Sequence, residues 1–304
     1  MKIHLLPFFA LLCVTIALNR SNGALPEEVY WKSNLPNTPL PKALQELLLP
    51  GNESRFADIK DIVESKQSVF NYVTGYGPIS LAIKKNIATY NESTIFFLYN
   101  DLHRSKKMKL SFTNSIKESK FLPRKIADSI PFSSNKSQEI LNYFSIDPAS
   151  KEGQIIKQTI KECEAPRFRG EDKYCATSFE SLVDFITSKL GSEVRALSNE
   201  VEESTKQEYT ILTGIKIIKG DRLVCHKQRY KYAVFYCHKM SGTMAYMVPL
   251  LGNDGSKPKV IVVCHSDTSA WNPNHFAFYV LNVKPGGPPI CHFLKSDTIV
   301  WVST

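Results

Sequence analysis

Four Cys-His dipeptides dominate the last third of the chain: Cys225-His226, Cys237-His238, Cys264-His265 and Cys291-His292, separated by 10, 25 and 25 residues. They use four of the seven cysteines and four of the seven histidines, too regular a set for chance. A metal site or a disulfide scaffold is therefore expected. Each dipeptide ends or interrupts a strand-like run, and neighbouring side chains of a strand point to opposite faces. The Cys and His of one dipeptide should then not ligate the same ion; the imidazoles can converge on one face and the cysteines on the other. The two-residue gap between ligands that marks zinc fingers is absent. Imidazole ligands suit copper, zinc, iron or nickel. The alternative is that the histidines only satisfy hydrogen bonds beside disulfides.

The N-terminus explains which redox compartment applies. Lys2 precedes an apolar run from Leu5 to Leu18, broken by Pro7 and Thr15, and Ser21-Asn22-Gly23 supplies small residues for cleavage. The run is too short for a bilayer, so residues 1–23 read as a cleaved signal peptide and not as a membrane anchor. Sequons at Asn52, Asn91 and Asn135 agree with a secretory route. In that oxidising route the six cysteines beyond residue 23 should pair. Cys163 and Cys175 enclose a short polar loop and suggest a local bridge. Six cysteines allow 15 pairings, which leaves the rest open.

The net charge is +9, with 38 Lys and Arg against 29 Asp and Glu. Only Arg104, Lys106, Lys107 and Lys109 cluster, which reads as a solvated face or as a contact for acidic wall polysaccharide or a vacuolar matrix. A secreted chain is not expected to meet nucleic acid. No hydrolase elbow, P-loop or dinucleotide fingerprint occurs.

Along the chain, residues 24–95 read as leader and spacer. Pro36, Pro39 and Pro41 predict an extended, polyproline-like stretch from Tyr30 to Pro41. Thr177 and Glu180 form a capping-box pattern before a stripe of Phe179, Leu182, Val183, Ile186 and Leu190 that Gly191 stops, which predicts a helix. Strands are predicted at Tyr209–Ile218, Tyr232–Cys237, Met244–Leu250, Lys259–Cys264, Phe276–Val283 and Thr298–Val302, separated by Gly, Pro, Asn and Asp. The fold class expected is α+β: a mixed or helical N-terminal part and a mostly antiparallel β domain over residues 96–304.

The four dipeptides at this spacing resemble the signature of the plant BURP domain. Tyr30-Trp31 followed by Leu35 to Pro41, Phe96-Phe97-Leu98 with Asp101-Leu102-His103, and Asp267-Thr268, Trp271, His275 and Ala277-Phe278 after Cys264-His265 are similar to other parts of that family. With no repeat block between leader and domain, the chain resembles the short, seed-protein-like branch. Some BURP proteins are copper-dependent peptide cyclases that crosslink an aromatic side chain of a core peptide, in cis or in trans. The resemblance implies copper ligands at His226, His238, His265 and His292. His275 and Asp267 would complete the site or move protons, with His103 as a further candidate. A core peptide would fall at Gln67-Ser68-Val69-Phe70-Asn71-Tyr72, followed by Tyr76, although the Trp and Pro of better-known cores are missing. Other members imply a non-enzymatic alternative: a seed, vacuolar or cell-wall matrix protein active in development or stress, or a subunit associated with polygalacturonase.

Overall fold

The computed structural model describes residues 25–49, 94–112, 119–167, 170–199, 201 and 206–304. The signal segment, the sequons at Asn52 and Asn91, and the stretch from Gln67 to Tyr76 lie outside them. The fold is α+β, with helices concentrated in the N-terminal part and antiparallel strands in the C-terminal part.

Two antiparallel sheets form the body. One is ordered β1 (Phe96–Leu98), β11 (Ile290–Phe293), β10 (Lys259–His265), β9 (Thr243–Gly252), β5 (Gln207–Ile211) and β2 (Lys107–Leu110), with β6 (Lys216–Ile218) also paired to β9. The other is ordered β3 (Glu171–Ala176), β8 (Phe235–Met240), β7 (Arg222–Lys227), β12 (Thr298–Ser303) and β4 (Val194–Ser198). Ile261 and Val263 of the first sheet meet Val224, Val300 and Val302 of the second in a shared apolar layer. Asn199, buried beyond β4, donates to the Leu294 carbonyl at 2.6 Å and accepts from the Ile261 amide at 2.7 Å.

The outer face of the second sheet is covered by helices. α1 (Pro26–Asn34) and α3 (Phe179–Leu190) pack there, and α2 (Lys151–Glu164) lies against a separate cluster with Tyr230 and Tyr232. The α3 cap is Ser178, one residue beyond the predicted Thr177. Its hydroxyl accepts from the Ser181 amide at 3.1 Å, and Ser181 Oγ, not Glu180, accepts from the Ser178 amide at 3.0 Å.

Three sequence expectations give way. The stretch from Tyr30 to Pro41 is not extended throughout, because Tyr30–Asn34 continue α1. Trp31 drives this: it is 2% exposed, its ring lies 5.8 Å from Phe179 and 5.7 Å from Trp301, and its indole N–H donates to the Thr38 carbonyl at 2.7 Å. Burial of so large an aromatic outweighs the local pull of the prolines. The Tyr209–Ile218 run is two strands, broken where Gly214 adopts a φ of +95°. The Phe276–Val283 run is a helix, α4 (Phe276–Leu281). Its apolar run lacks alternation, and the ends decide: His275 Nδ1 accepts from the Ala277 amide at 3.2 Å, and left-handed Asn282 closes the other end.

Candidate functional site

Register places the dipeptides in two pairs. Cys225 of β7 faces Cys237 of β8, and Cys264 of β10 faces Cys291 of β11. Both pairs are disulfide-bonded across their ladders, and Cys163 of α2 is bonded to Cys175 of β3. The strand alternation then sends the histidines the other way. Cys225 and Cys237 enter the core under α1 and α3, while Cys264 and Cys291 enter the core of the first sheet.

All four dipeptide histidines line one cavity of about 540 Å³, reached by interior strands of both sheets. His226 and His238 contribute from the second sheet, His265 and His292 from the first, and His275 joins them from the cap of α4. His226 Nε2 and His238 Nε2 are 3.3 Å apart. The His265 and His292 rings stack at 5.6 Å, and His226 and His292 bridge the two pairs at 6.5 Å. Trp271 sits between His265 and His275, with centroids 4.9 and 4.6 Å away. Phe96, directly across the ladder from His292, packs edge-on against His292 and His275, 5.8 Å from each.

Burial keeps three of these imidazoles neutral. It holds His226 and His265 well below the usual histidine range and pushes His292 down to about 3; neighbouring histidines add to the effect. Lys295, buried close by, is pushed down to about 8 for the same reason, against the pull of Asp297. The Nδ1 atoms are partly engaged. Thr298 Oγ1 is 3.5 Å from that of His226, Thr243 Oγ1 is 3.3 Å from that of His265, and the Phe293 carbonyl is 3.4 Å from that of His292.

The donor set suits a transition metal. Neutral, desolvated imidazoles are what copper or zinc binds. Two nitrogens bound to one ion at about 2.0–2.1 Å in tetrahedral geometry stand about 3.3 Å apart, the spacing of His226 and His238. Among the described residues no three His, Cys, Asp or Glu side chains stand as a ready-made ligand group. His226 and His238 are a two-ligand start, and any third ligand requires a side-chain movement.

The other candidates fall elsewhere. Asp267 is on an exposed turn after β10, where its carboxylate accepts from the Ser269 amide at 2.8 Å, a bond that lowers its pKa. His103 is exposed, with Nδ1 2.9 Å from the Arg104 carbonyl. Asn135 is exposed on a 3-10 turn, open to a glycan.

The far wall of the cavity carries residues that the sequence did not single out. Glu171, Lys173 and Tyr236 face it from β3 and β8, and Glu162 and Arg167 from the end of α2. Burial raises the Glu162 carboxyl above its usual range and lowers the Lys173 ammonium, which donates to the Glu162 carbonyl at 3.2 Å. The only sequence signal for Glu171 is its phase: Glu171, Lys173 and Cys175 alternate with Asp172 and Tyr174, which meet Lys189 and Phe185 of α3.

A family model for the BURP domain matches residues 95–303. BURP domain-containing protein 5 of Oryza sativa subsp. japonica is 40% identical over 290 residues, covering 92% of this chain and 88% of that protein. BURP domain protein RD22 of Arabidopsis thaliana is 49% identical over 219 residues, covering 69% of this chain and 56% of that protein. BURP domain-containing protein 3 of Oryza sativa subsp. japonica is 51% identical over 214 residues, 68% of this chain and 50% of that protein. This chain thus spans about half the length of the latter two. The stretch matched by the family model holds both sheets, all three disulfides and the five cavity histidines, and the chain belongs to the BURP domain family.

Proposed function

We propose that the chain is a secreted copper-binding protein that oxidatively crosslinks an aromatic side chain of a peptide, either its own or one supplied by another chain. The observation that carries this reading is the convergence on one cavity of four histidines from both sheets and a fifth from the cap of α4, with Trp271 and Tyr236 in its walls. A volume of about 540 Å³ is within the range of about 300–1,000 Å³ typical of ligand sites. Bound copper would supply one-electron oxidation, with dioxygen as the final acceptor. The bond that forms replaces two bonds to hydrogen, so two electrons and two protons leave the peptide.

The chain's own residues would do the rest. His226, His238, His265 and His292 would hold the ion, and burial keeps His226, His265 and His292 neutral. Trp271 and His275 offer ring surfaces for an aromatic side chain. Their position inside the wall displaces water from the reacting groups. In cis, the segment containing Gln67, Phe70, Tyr72 and Tyr76 would have to reach this cavity. Three disulfides fit folding in an oxidising compartment, and no helix among the described residues is long and apolar enough to cross a membrane. We place the protein in the cell wall or a vacuole.

Among the described residues there is no ready-made three-residue ligand group, which favours a second reading, a matrix protein in which the histidines seal the junction of the two sheets. Copper and oxygen distinguish the two. Incubated with both, the purified protein should lose two hydrogens from peptides within residues 60–90 or from an added Trp- or Tyr-containing peptide, and His265→Ala should abolish the loss. Unmodified peptides in both arms, with no copper retained, would leave the matrix reading.

A further inference from the structure

We propose that Glu171 is a positioning residue for His238, accepting a hydrogen bond from its Nδ1–H so that Nε2 is the nitrogen presented to the cavity, with Tyr236 holding the carboxylate in place. This rests on the reading that the cavity binds copper through its imidazoles.

The geometry begins with strand register. β3 and β8 pair so that Lys173 faces His238 and Cys175 faces Tyr236, which leaves Glu171 diagonal to His238 on the cavity side. Its Oε1 is 3.4 Å from His238 Nδ1, and the Tyr236 hydroxyl donates to that same oxygen at 2.8 Å. The Glu171 side chain is 1% exposed and that of His238 14%. His238 Nδ1 is buried and makes no well-formed hydrogen bond to another atom. A contact of 3.4 Å is long for a hydrogen bond, as are those of 3.3 and 3.5 Å further along the same network, but such contacts commonly tighten when a site is filled. Lys173, with its ammonium 5.5 Å from the Tyr236 ring centroid, is the cation on the same face.

Two arguments favour a purpose beyond folding. A buried carboxylate costs stability that an apolar side chain of similar size would not. The hydrogen-bond directions also agree from end to end. With the His238 proton on Nδ1 toward Glu171, its bare Nε2 accepts from His226 Nε2–H across 3.3 Å. His226 Nδ1 then accepts from the Thr298 hydroxyl at 3.5 Å. Glu171 thus sets the tautomer of His238, as carboxylates behind metal-bound histidines do elsewhere; for His226 to ligate through Nε2 as well, its proton must move to Nδ1, beside the Thr298 hydroxyl.

Two measurements test this. Long-range proton–nitrogen NMR of the metal-free wild type should show His238 protonated at Nδ1; protonation at Nε2 overturns the proposal without any variant. Copper(II) titration, read by calorimetry and electron paramagnetic resonance, should give Glu171→Gln and Glu171→Ala about 10–100-fold weaker binding, with a smaller loss for Tyr236→Phe. Wild type that binds copper while folded Glu171→Ala binds it equally well overturns the positioning role. Wild type that binds no copper overturns the function proposed above, and the tautomer then decides whether Glu171 orients His238 by itself. If the Glu171 variants do not fold, the wild-type tautomer and Tyr236→Phe carry the test.

Discussion

His226 and His238 follow the two halves of one disulfide on adjacent strands, and their Nε2 atoms come within 3.3 Å. The covalent bond on one face of the sheet therefore fixes the imidazole pair on the other. A Cys225→Ser, Cys237→Ser double variant should lose about 3 kcal/mol of stability, the value expected for a short closed loop. It should also lose copper affinity by a larger factor than a Cys163→Ser, Cys175→Ser variant, whose bond lies outside the histidine strands. Denaturant unfolding and copper titration of both variants check the order.

Stability without metal should depend on pH. His226, His265 and His292 are neutral in the fold and hard to protonate, whereas in the unfolded chain they titrate near 6.5. Below about pH 6.5 the unfolded state binds more protons, so stability is complete above that value and falls as pH drops toward 3. The slope is up to about 1.4 kcal/mol per pH unit for each histidine. Urea unfolding with chelator at pH 7, 6 and 5 measures it before most carboxylates titrate. A flat profile would contradict the buried, neutral assignment.

Trp31 should behave as a core residue despite its distance from the sheets in sequence. Trp31→Ala removes a ring packed between Phe179 and Trp301 and should cost about 3–5 kcal/mol. A chain beginning at Ile95 uncovers the same two residues and should aggregate. A change below about 1 kcal/mol in Trp31→Ala would show that the leader is only loosely attached.

His275 has a structural duty that can be separated from any chemistry. Its Nδ1 caps α4, so His275→Ala should cost about 1 kcal/mol. His275→Asp should restore the cap, and with it the thermal midpoint, yet leave out the imidazole from the cavity. Copper affinity that follows the midpoint would make His275 a cap alone.

The sequence made the histidine side of the site legible because it rests on alternation. Once Cys225, Cys237, Cys264 and Cys291 are strand residues, His226, His238, His265 and His292 must point the other way. The α3 helix was legible from its apolar stripe and Gly191. The carboxylate side was not, since Glu171 and Tyr236 meet His238 only through the pairing of β3 with β8, and no spacing encodes that register. The α4 error has a similar cause: Phe276 to Leu281 lacks a period, and a side-chain cap from His275 settles its conformation. Trp31 lay among prolines that argue for extension, and only its packing against Phe179 and Trp301 explains the helix.

That partnership also bears on the order of synthesis. Trp31 is made early, whereas β12, which carries Trp301 and lies between β7 and β4, is made after every other described strand. Until β12 has been added the α1 strap can close only on α3, without Trp301, so the leader must wait through most of translation with a large indole partly uncovered. Ribosome-held chains stopped before Thr298 should accordingly be far more sensitive to protease than chains in which β12 has emerged, and the last strand made becomes the one that secures the first helix.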